Sequence, residues 1–475
     1  VNIGASPSIC VHQGLTPIPL ETVVTNGIEQ GIFQMRLDEL ATQIKDGPGW
    51  RWVGSVAHIA AGLISVDGLG GHARIGDQAV VRRADGQPIY GEIIEIRPDA
   101  SIVMPYASVE DIALGAPVQL RPGANVLRPS DAWIGRVIDP FGQPLDGSPL
   151  LSGRQDRALQ TVPPPAADRA GLGQRLNTGF AALNTFLPVV AGQRVGLFAG
   201  SGVGKSNMLA ALCKNMDADV IVVAMIGERG RELRQFIDDT LGPDGMARSI
   251  IVAATSDQSP LIRRRCAWAA MTVAEHFRDL GQRVLLIADS VTRFAEAHRD
   301  VALATGELPA LRGYPPSTAQ MIMSLCERAG PGAKGQGSIT GIFSVLVAGS
   351  DFDEPIADIL RGVLDGHIIL DRSIAERGRY PAINLSKSVS RSLPGAASSD
   401  ENTMLQEART LLGVYEQSET MIKAGLYSDG TDPQLDRAMR VWPDLDAFIG
   451  KESEPDIAAS FDRLNLILRR SGAAG

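Results

Sequence analysis

Cysteine is scarce in this chain. Its four thiols, Cys10, Cys213, Cys266 and Cys326, are far apart and form no CxxC pair. That excludes a disulfide framework and a thiolate metal site, and leaves reduced thiols. No apolar run is long enough to span a bilayer. Residues 1–10 lack a basic stretch followed by an apolar one, so no secretory leader is expected and the chain reads as cytoplasmic. Aromatic residues make up only 5%, and acids outnumber bases to a net charge of −9. A nucleic-acid binder needs a basic surface with stacking rings, so no nucleic-acid partner is expected. What is present is the composition of a globular protein, 44% hydrophobic and 21% charged. Its 475 residues allow two or three domains, each with an ample core.

The pattern of apolar residues changes along the chain. Residues 1–48 form an extension in which Phe33, Leu37, Leu40, Ala41 and Ile44 fall at helical spacing. One amphipathic helix is predicted at 32–45, packed either on a partner or membrane surface or on its own domain. Gly47, Pro48 and Gly49 then break the chain. Residues 49–122 show short alternating runs separated by turn pairs such as Asp67-Gly68 and Asp85-Gly86, which predicts a small closed β-barrel with an oligomeric or structural role. In 123–398 continuous apolar runs at 195–198, 220–226, 249–254, 284–288, 338–347 and 367–370 alternate with helical stretches. That is the pattern of a parallel sheet buried on both faces, with ligands at the carboxyl ends of its strands. In 399–475 strand signals vanish. Met404, Leu405, Ala408, Leu411, Leu412 and Tyr415 recur at helical spacing, as do Ile457, Phe461, Leu464 and Leu468. The predicted fold class is an α/β P-loop NTPase core with a parallel sheet, preceded by a small N-terminal β-barrel and followed by a C-terminal helical domain.

The chemistry centres on Ala199-Gly200-Ser201-Gly202-Val203-Gly204-Lys205-Ser206, between an apolar strand and a helix start. Glycines let backbone N–H groups close around phosphate oxygens, and the helix start adds positive dipole. Lys205 would reach the β- and γ-phosphates of ATP, and the Ser206 hydroxyl would ligate Mg²⁺. Ala199 stands where the pattern usually has glycine, a small change in bulk. The strand 284–288 ends in Asp289, placed to hold the same metal opposite Ser206, although apolar strands ending in Asp are common. Arg293, one turn later, either supports the site or pairs with a surface acid. The strand 220–226 ends in Gly227-Glu228-Arg229-Gly230. Glu228 there can polarise the attacking water, and Arg229 can meet phosphate oxygens. The same charged run would also suit a solvated helix start.

These motifs together resemble the rotary-ATPase superfamily. Further similar stretches are Gly313-Tyr314-Pro315-Pro316-Ser317, Glu327-Arg328-Ala329-Gly330, Pro355-Ile356-Ala357-Asp358 and Leu364-Asp365-Gly366-His367-Ile368. Within the superfamily they are most similar to the type III protein-export ATPases, and among those to the flagellar branch. The resemblance runs from about Trp52 to the C-terminus. It departs at Thr318 to Met323 and at Leu426, neither near the phosphates. The resemblance implies that Tyr380, in Tyr380-Pro381-Ala382-Ile383, stacks on adenine, where the residues alone also allow a core tyrosine. It implies that Arg391, in Ser388-Val389-Ser390-Arg391, reaches the γ-phosphate bound by a neighbouring subunit. One chain then carries both halves of an active site. A homo-oligomeric ring, a hexamer by family, follows as an expectation. So do the partners: a type III export apparatus, stalk and regulatory proteins, and export substrates with their chaperones. Peripheral association with the membrane at the cytoplasmic face of that apparatus is also allowed. Three other readings compete: a virulence-type secretion ATPase, a non-catalytic nucleotide-binding subunit, and a ring translocase on RNA. Glu228 argues against the second, and charge against the third.

Overall fold

The computed structural model describes residues 52–121, 123–347 and 354–472. The helix expected at 32–45 lies outside them. Six strands come first: β1 (Val53–Ala60), β2 (Leu63–Asp67), β3 (Gln78–Arg82), β4 (Pro88–Ile96), β5 (Ser101–Pro105) and β6 (Pro117–Arg121). They close into a barrel in the order β1-β2-β5-β4-β3-β6. Period-two alternation explains the closure. Ile64 and Val66 of β2, Ala79 and Val81 of β3, and Val118 and Leu120 of β6 all point into one small core.

After the barrel, β7 (Val126–Leu127) pairs with β9 (Arg157–Ala158), and between them β8 (Val137–Ile138) joins the edge of the main sheet. The other strands of that sheet are β10 (Arg194–Ala199), β11 (Val220–Glu228), β12 (Ser249–Thr255), β13 (Arg283–Asp289), β14 (Gly330–Pro331), β15 (Ser338–Leu346), β16 (Gly366–Leu370) and β17 (Ile383–Ser390). Their order is β17-β16-β10-β15-β13-β11-β12-β8, with β14 beside β15. The centre is parallel, as the two-sided apolar runs require. The sheet as a whole is mixed, because β17 returns antiparallel to β16. Its Asn384, Ser386 and Lys387 interrupt the apolar run and suit it to an edge.

Longer helices cover both faces. On one lie α1 (Lys205–Asn215), α6 (Ser399–Lys423), α7 (Pro433–Ile449) and α8 (Ile457–Gly472). On the other lie α2 (Pro260–Asp279), α3 (Val291–Ala304), α4 (Ser317–Arg328) and α5 (Pro355–Val363). The last three helices of the chain form the helical tail. Its start is set by a capping box between Ser398 and Glu401, and Glu401 also reaches Arg175 at 2.8 Å.

Near its N-terminus α2 carries three consecutive arginines, which the 100° step of a helix sends in three directions. Arg263 faces the cleft described below. Arg264 meets Glu92 of β4 at 3.4 Å, both side chains being 11% exposed. Arg265 donates to Asn125 Oδ1 (2.7 Å), Ala124 O (3.1 Å) and Pro140 O (3.1 Å), and its guanidinium lies 4.5 Å from the Phe141 ring centre. Burial drives the Glu92 carboxyl above its usual range and the Arg264 guanidinium below its own, with the partner charge opposing each shift. The barrel is therefore joined to the sheet-bearing core by a buried ion pair. Arg264→Leu strands a buried carboxylate, at a cost of about 3–5 kcal/mol. Thermal unfolding should show a clear fall in melting temperature for Arg264→Leu, and recovery of most of it when Glu92→Leu is added.

Candidate active site

Strand β10 is buried along most of its length and delivers the chain to residues 200–204 at its carboxyl end. Gly204 is the last residue before α1 and sits at φ +87°, left-handed backbone that disfavours any side chain. A Cβ there would lie 3.1 Å from Cδ1 of Tyr380. Lys205 and Ser206 open α1, where unpaired backbone N–H groups and the helix dipole favour an anion.

A cleft of about 1370 Å³ opens over this loop. Ala199, Gly200, Ser201, Gly202, Val203, Gly204, Lys205, Ser206, Glu228, Arg229, Asp289 and Arg293 all line it. The Lys205 ammonium contacts Asp289 Oδ1 and lies 4.0 Å from Glu228 Oε1. The strands explain the convergence. β11 ends in Glu228 and β13 in Asp289, and parallel pairing brings both ends to one edge. The register shifts between Ile226 and Glu228, so the last residue of β11 leaves the regular alternation. Asp289 is buried and accepts from the Ser344 hydroxyl of β15 at 2.6 Å.

Burial raises the Glu228 carboxyl to about 7, and the nearby Asp289 charge adds to the shift while Lys205 opposes it. A carboxyl near neutrality is a good proton acceptor for chemistry at physiological pH. Ser206 and Asp289 offer hard oxygen donors of the kind Mg²⁺ takes, and the loop offers a cradle for phosphates.

The remaining candidates lie farther out. Arg229 is on the cleft wall but strongly exposed, with Glu232 3.4 Å away. Arg293 pairs with Glu296 at 2.8 Å while still lining the cleft. Tyr380 is half exposed and its ring lies against Gly204. Arg391 is exposed, follows the end of β17 and donates to the Arg361 carbonyl of α5 at 3.2 Å. It is not among the residues lining the cleft of its own chain.

Sequence reasoning missed Ser344. A hydroxyl inside the apolar run of β15 was a signal, because a buried polar group needs a partner. It also gave no role to Arg263, which lines the cleft and reaches Asp300 at 3.4 Å. Two stretches of the family resemblance lie away from the chemistry. Arg328 is buried against Glu275 at 2.7 Å and donates to the Leu159 carbonyl at 2.7 Å. Glu327 and Asp365 both hold Arg194, the first residue of β10.

Comparison with known proteins supplies the wider context. Residues 179–390 match the ATP synthase alpha/beta family, nucleotide-binding domain, and residues 397–465 match the T3SS EscN ATPase C-terminal domain. The chain is 43% identical over 424 residues to a flagellum-specific ATP synthase of Caulobacter vibrioides, covering 88% of this chain and 96% of that one. Its fold is similar to the assembled ATPase EscN of the enteropathogenic E. coli type III secretion system. The TM-score is 0.80 at 35% identity, over 87% of this chain and 100% of that one. EscN in complex with its central stalk EscO matches with a TM-score of 0.79, 35% identity and the same coverage.

Gly204→Ala tests the loop directly. A Cβ in left-handed backbone costs about 1–2 kcal/mol, and here it also presses on Tyr380. Calorimetric titration should show ATP binding weakened about tenfold or more, with the melting temperature little changed.

Proposed function

Because the chain belongs to the flagellum-specific and type III secretion ATPases of the ATP synthase alpha/beta family, we propose that it hydrolyses ATP in a homo-oligomeric ring to energise protein export, most closely in flagellum assembly. The observation that carries this reading is the meeting of Lys205, Glu228 and Asp289 over the phosphate loop. A subunit that only bound nucleotide would have no use for a half-buried carboxyl poised near neutrality.

In this mechanism the loop amides and Lys205 hold the β- and γ-phosphates. Ser206 and Asp289 hold Mg²⁺, which neutralises phosphate charge when bound. Glu228 accepts a proton from water as that water's oxygen attacks the γ-phosphorus. The bond to the β,γ-bridging oxygen breaks, leaving ADP and phosphate. Arg229, at the cleft wall, meets phosphate oxygens, and Tyr380 stacks on the adenine. Arg391, which does not line its own cleft, completes the site of the next subunit. That division favours a ring, and the assembled form of EscN supports one; a hexamer is proposed. By analogy with EscN and EscO, a stalk protein is the proposed central partner. Regulators, chaperones and export substrates follow from the same function. No helix among the described residues is long and apolar enough to cross a membrane. The proposed location is the cytoplasmic face of the export apparatus, with peripheral association at the membrane.

Three experiments test these roles. The Glu228 carboxyl must be ionised to take a proton, so kcat/KM should fall about tenfold per pH unit below about 7. Glu228→Gln should abolish phosphate release while ATP still binds; full turnover in that variant would remove Glu228 as the base. For Arg391, subunits carrying Arg391→Ala and subunits carrying Lys205→Ala should each be inactive, a finger being worth roughly 10³ to 10⁵ in rate. Mixed rings of the two should regain phosphate release at the interfaces left intact, and mixed rings without activity would exclude action across subunits.

A further inference from the structure

The residues beside Tyr380 form a cluster that the chemistry above does not use. Arg379 is a nearly buried arginine whose guanidinium faces two ways. Nη1 donates to the Pro381 carbonyl at 3.1 Å and Nη2 to the Ile383 carbonyl at 2.7 Å, bracing the segment that presents Tyr380. Nε lies 3.0 Å from Asp446 Oδ1 of α7. Gly450 sits one helical turn beyond Asp446. A Cβ on it would come within 3.1 Å of Arg379 Cγ and 3.2 Å of the Tyr380 carbonyl. The last turn of α7 thus touches the Tyr380 segment twice, through a charge and through a close backbone approach. On its other side the Tyr380 ring rests on Gly204 of the phosphate loop.

We propose that Arg379 and Asp446 are positioning residues that hold Tyr380 for the nucleotide base, so that helix α7 of the C-terminal tail sets affinity for the base. The proposal rests on the reading of Tyr380 as the base-stacking residue. The physical argument is preorganisation. An arginine this buried needs its counter-charge; without Asp446 its guanidinium turns towards water and releases both carbonyls. The Tyr380 segment then samples more positions, and ordering it on binding costs affinity. The phosphate loop, Glu228 and Asp289 are on other elements and keep their geometry. The loss therefore falls on the base and not on the phosphates.

The test uses the full chain and two probes: ATPγS, which carries the base, and inorganic tripolyphosphate, which does not. Asp446→Asn should weaken ATPγS binding about five- to tenfold and leave tripolyphosphate binding within about twofold. Its KM for ATP should rise by the same factor with kcat within about twofold. Asp446→Glu should restore the wild-type values. Arg379→Lys keeps a charge but loses the two-carbonyl fork, and should show the same base-dependent loss. Should Asp446→Asn fail to fold, that variant carries the test. Tyr380→Ala should weaken ATPγS at least tenfold, and adding Asp446→Asn to it should cause no further loss. Unchanged ATPγS binding in Tyr380→Ala would overturn the stacking reading, and this proposal with it. Weakened binding in Tyr380→Ala beside unchanged binding in Asp446→Asn and Arg379→Lys would overturn the positioning proposal alone. So would an equal loss for both probes.

Discussion

One ammonium shared between two carboxylates fixes the geometry of the cleft. Lys205 opens α1 just past the loop that follows β10, Asp289 comes from the end of β13 and Glu228 from the end of β11. Ser344, which holds Asp289, comes from β15. In space these strands run β10, β15, β13, β11, four consecutive members of one sheet. Each gives one polar group to the cluster. Only parallel strands bring all four ends to the same edge, so the cluster depends on the two-sided apolar runs that make the sheet parallel. The raised Glu228 carboxyl follows from the same placement, because burial and the neighbouring Asp289 outweigh one shared cation.

The parts of this arrangement legible in the sequence were those encoded locally. A strand, a glycine-rich turn and Lys205 are contiguous, and apolar runs that stop at Glu228 and Asp289 mark strand ends without any knowledge of their neighbours. The barrel was legible for the same reason, since its alternation needs only period two. The contribution of Ser344 was hidden, because its meaning depends on which strand lies beside β13. Arg379 and Asp446 were hidden more deeply. They are 67 positions apart, and neither belongs to a motif with a chemical signature. Strand β17 was missed altogether, because Asn384, Ser386 and Lys387 leave it no continuous apolar run. The position of Arg391 had no local signature either, and the family resemblance alone singled it out.

That resemblance mixes two kinds of residue. Some of its stretches line the cleft. Others, such as Glu327, Arg328 and Asp365, lie behind it and brace the frame. Arg194 at the foot of β10 is held from both sides by Glu327 and Asp365. Arg328 is sealed with Glu275 beneath the connection that carries Leu159. A buried guanidinium with its carboxylate is intolerant of single changes, so these residues matter to the frame without any contact with substrate.

The three arginines at 263–265 bear on how separable the parts of this protein are. Each points into a different compartment, and the middle one needs a carboxylate that only the barrel supplies. A barrel borrowed from another protein would not be a cartridge that clicks into this core. The graft would have to bring its own acid at the place of Glu92, and keep the Asn125 and Pro140 contacts of Arg265 in register. Otherwise a cation would be left in a dry seam. For anyone building hybrids of such enzymes, a cut at the junction near residue 122 works only if residues 92 and 264 are exchanged as a pair.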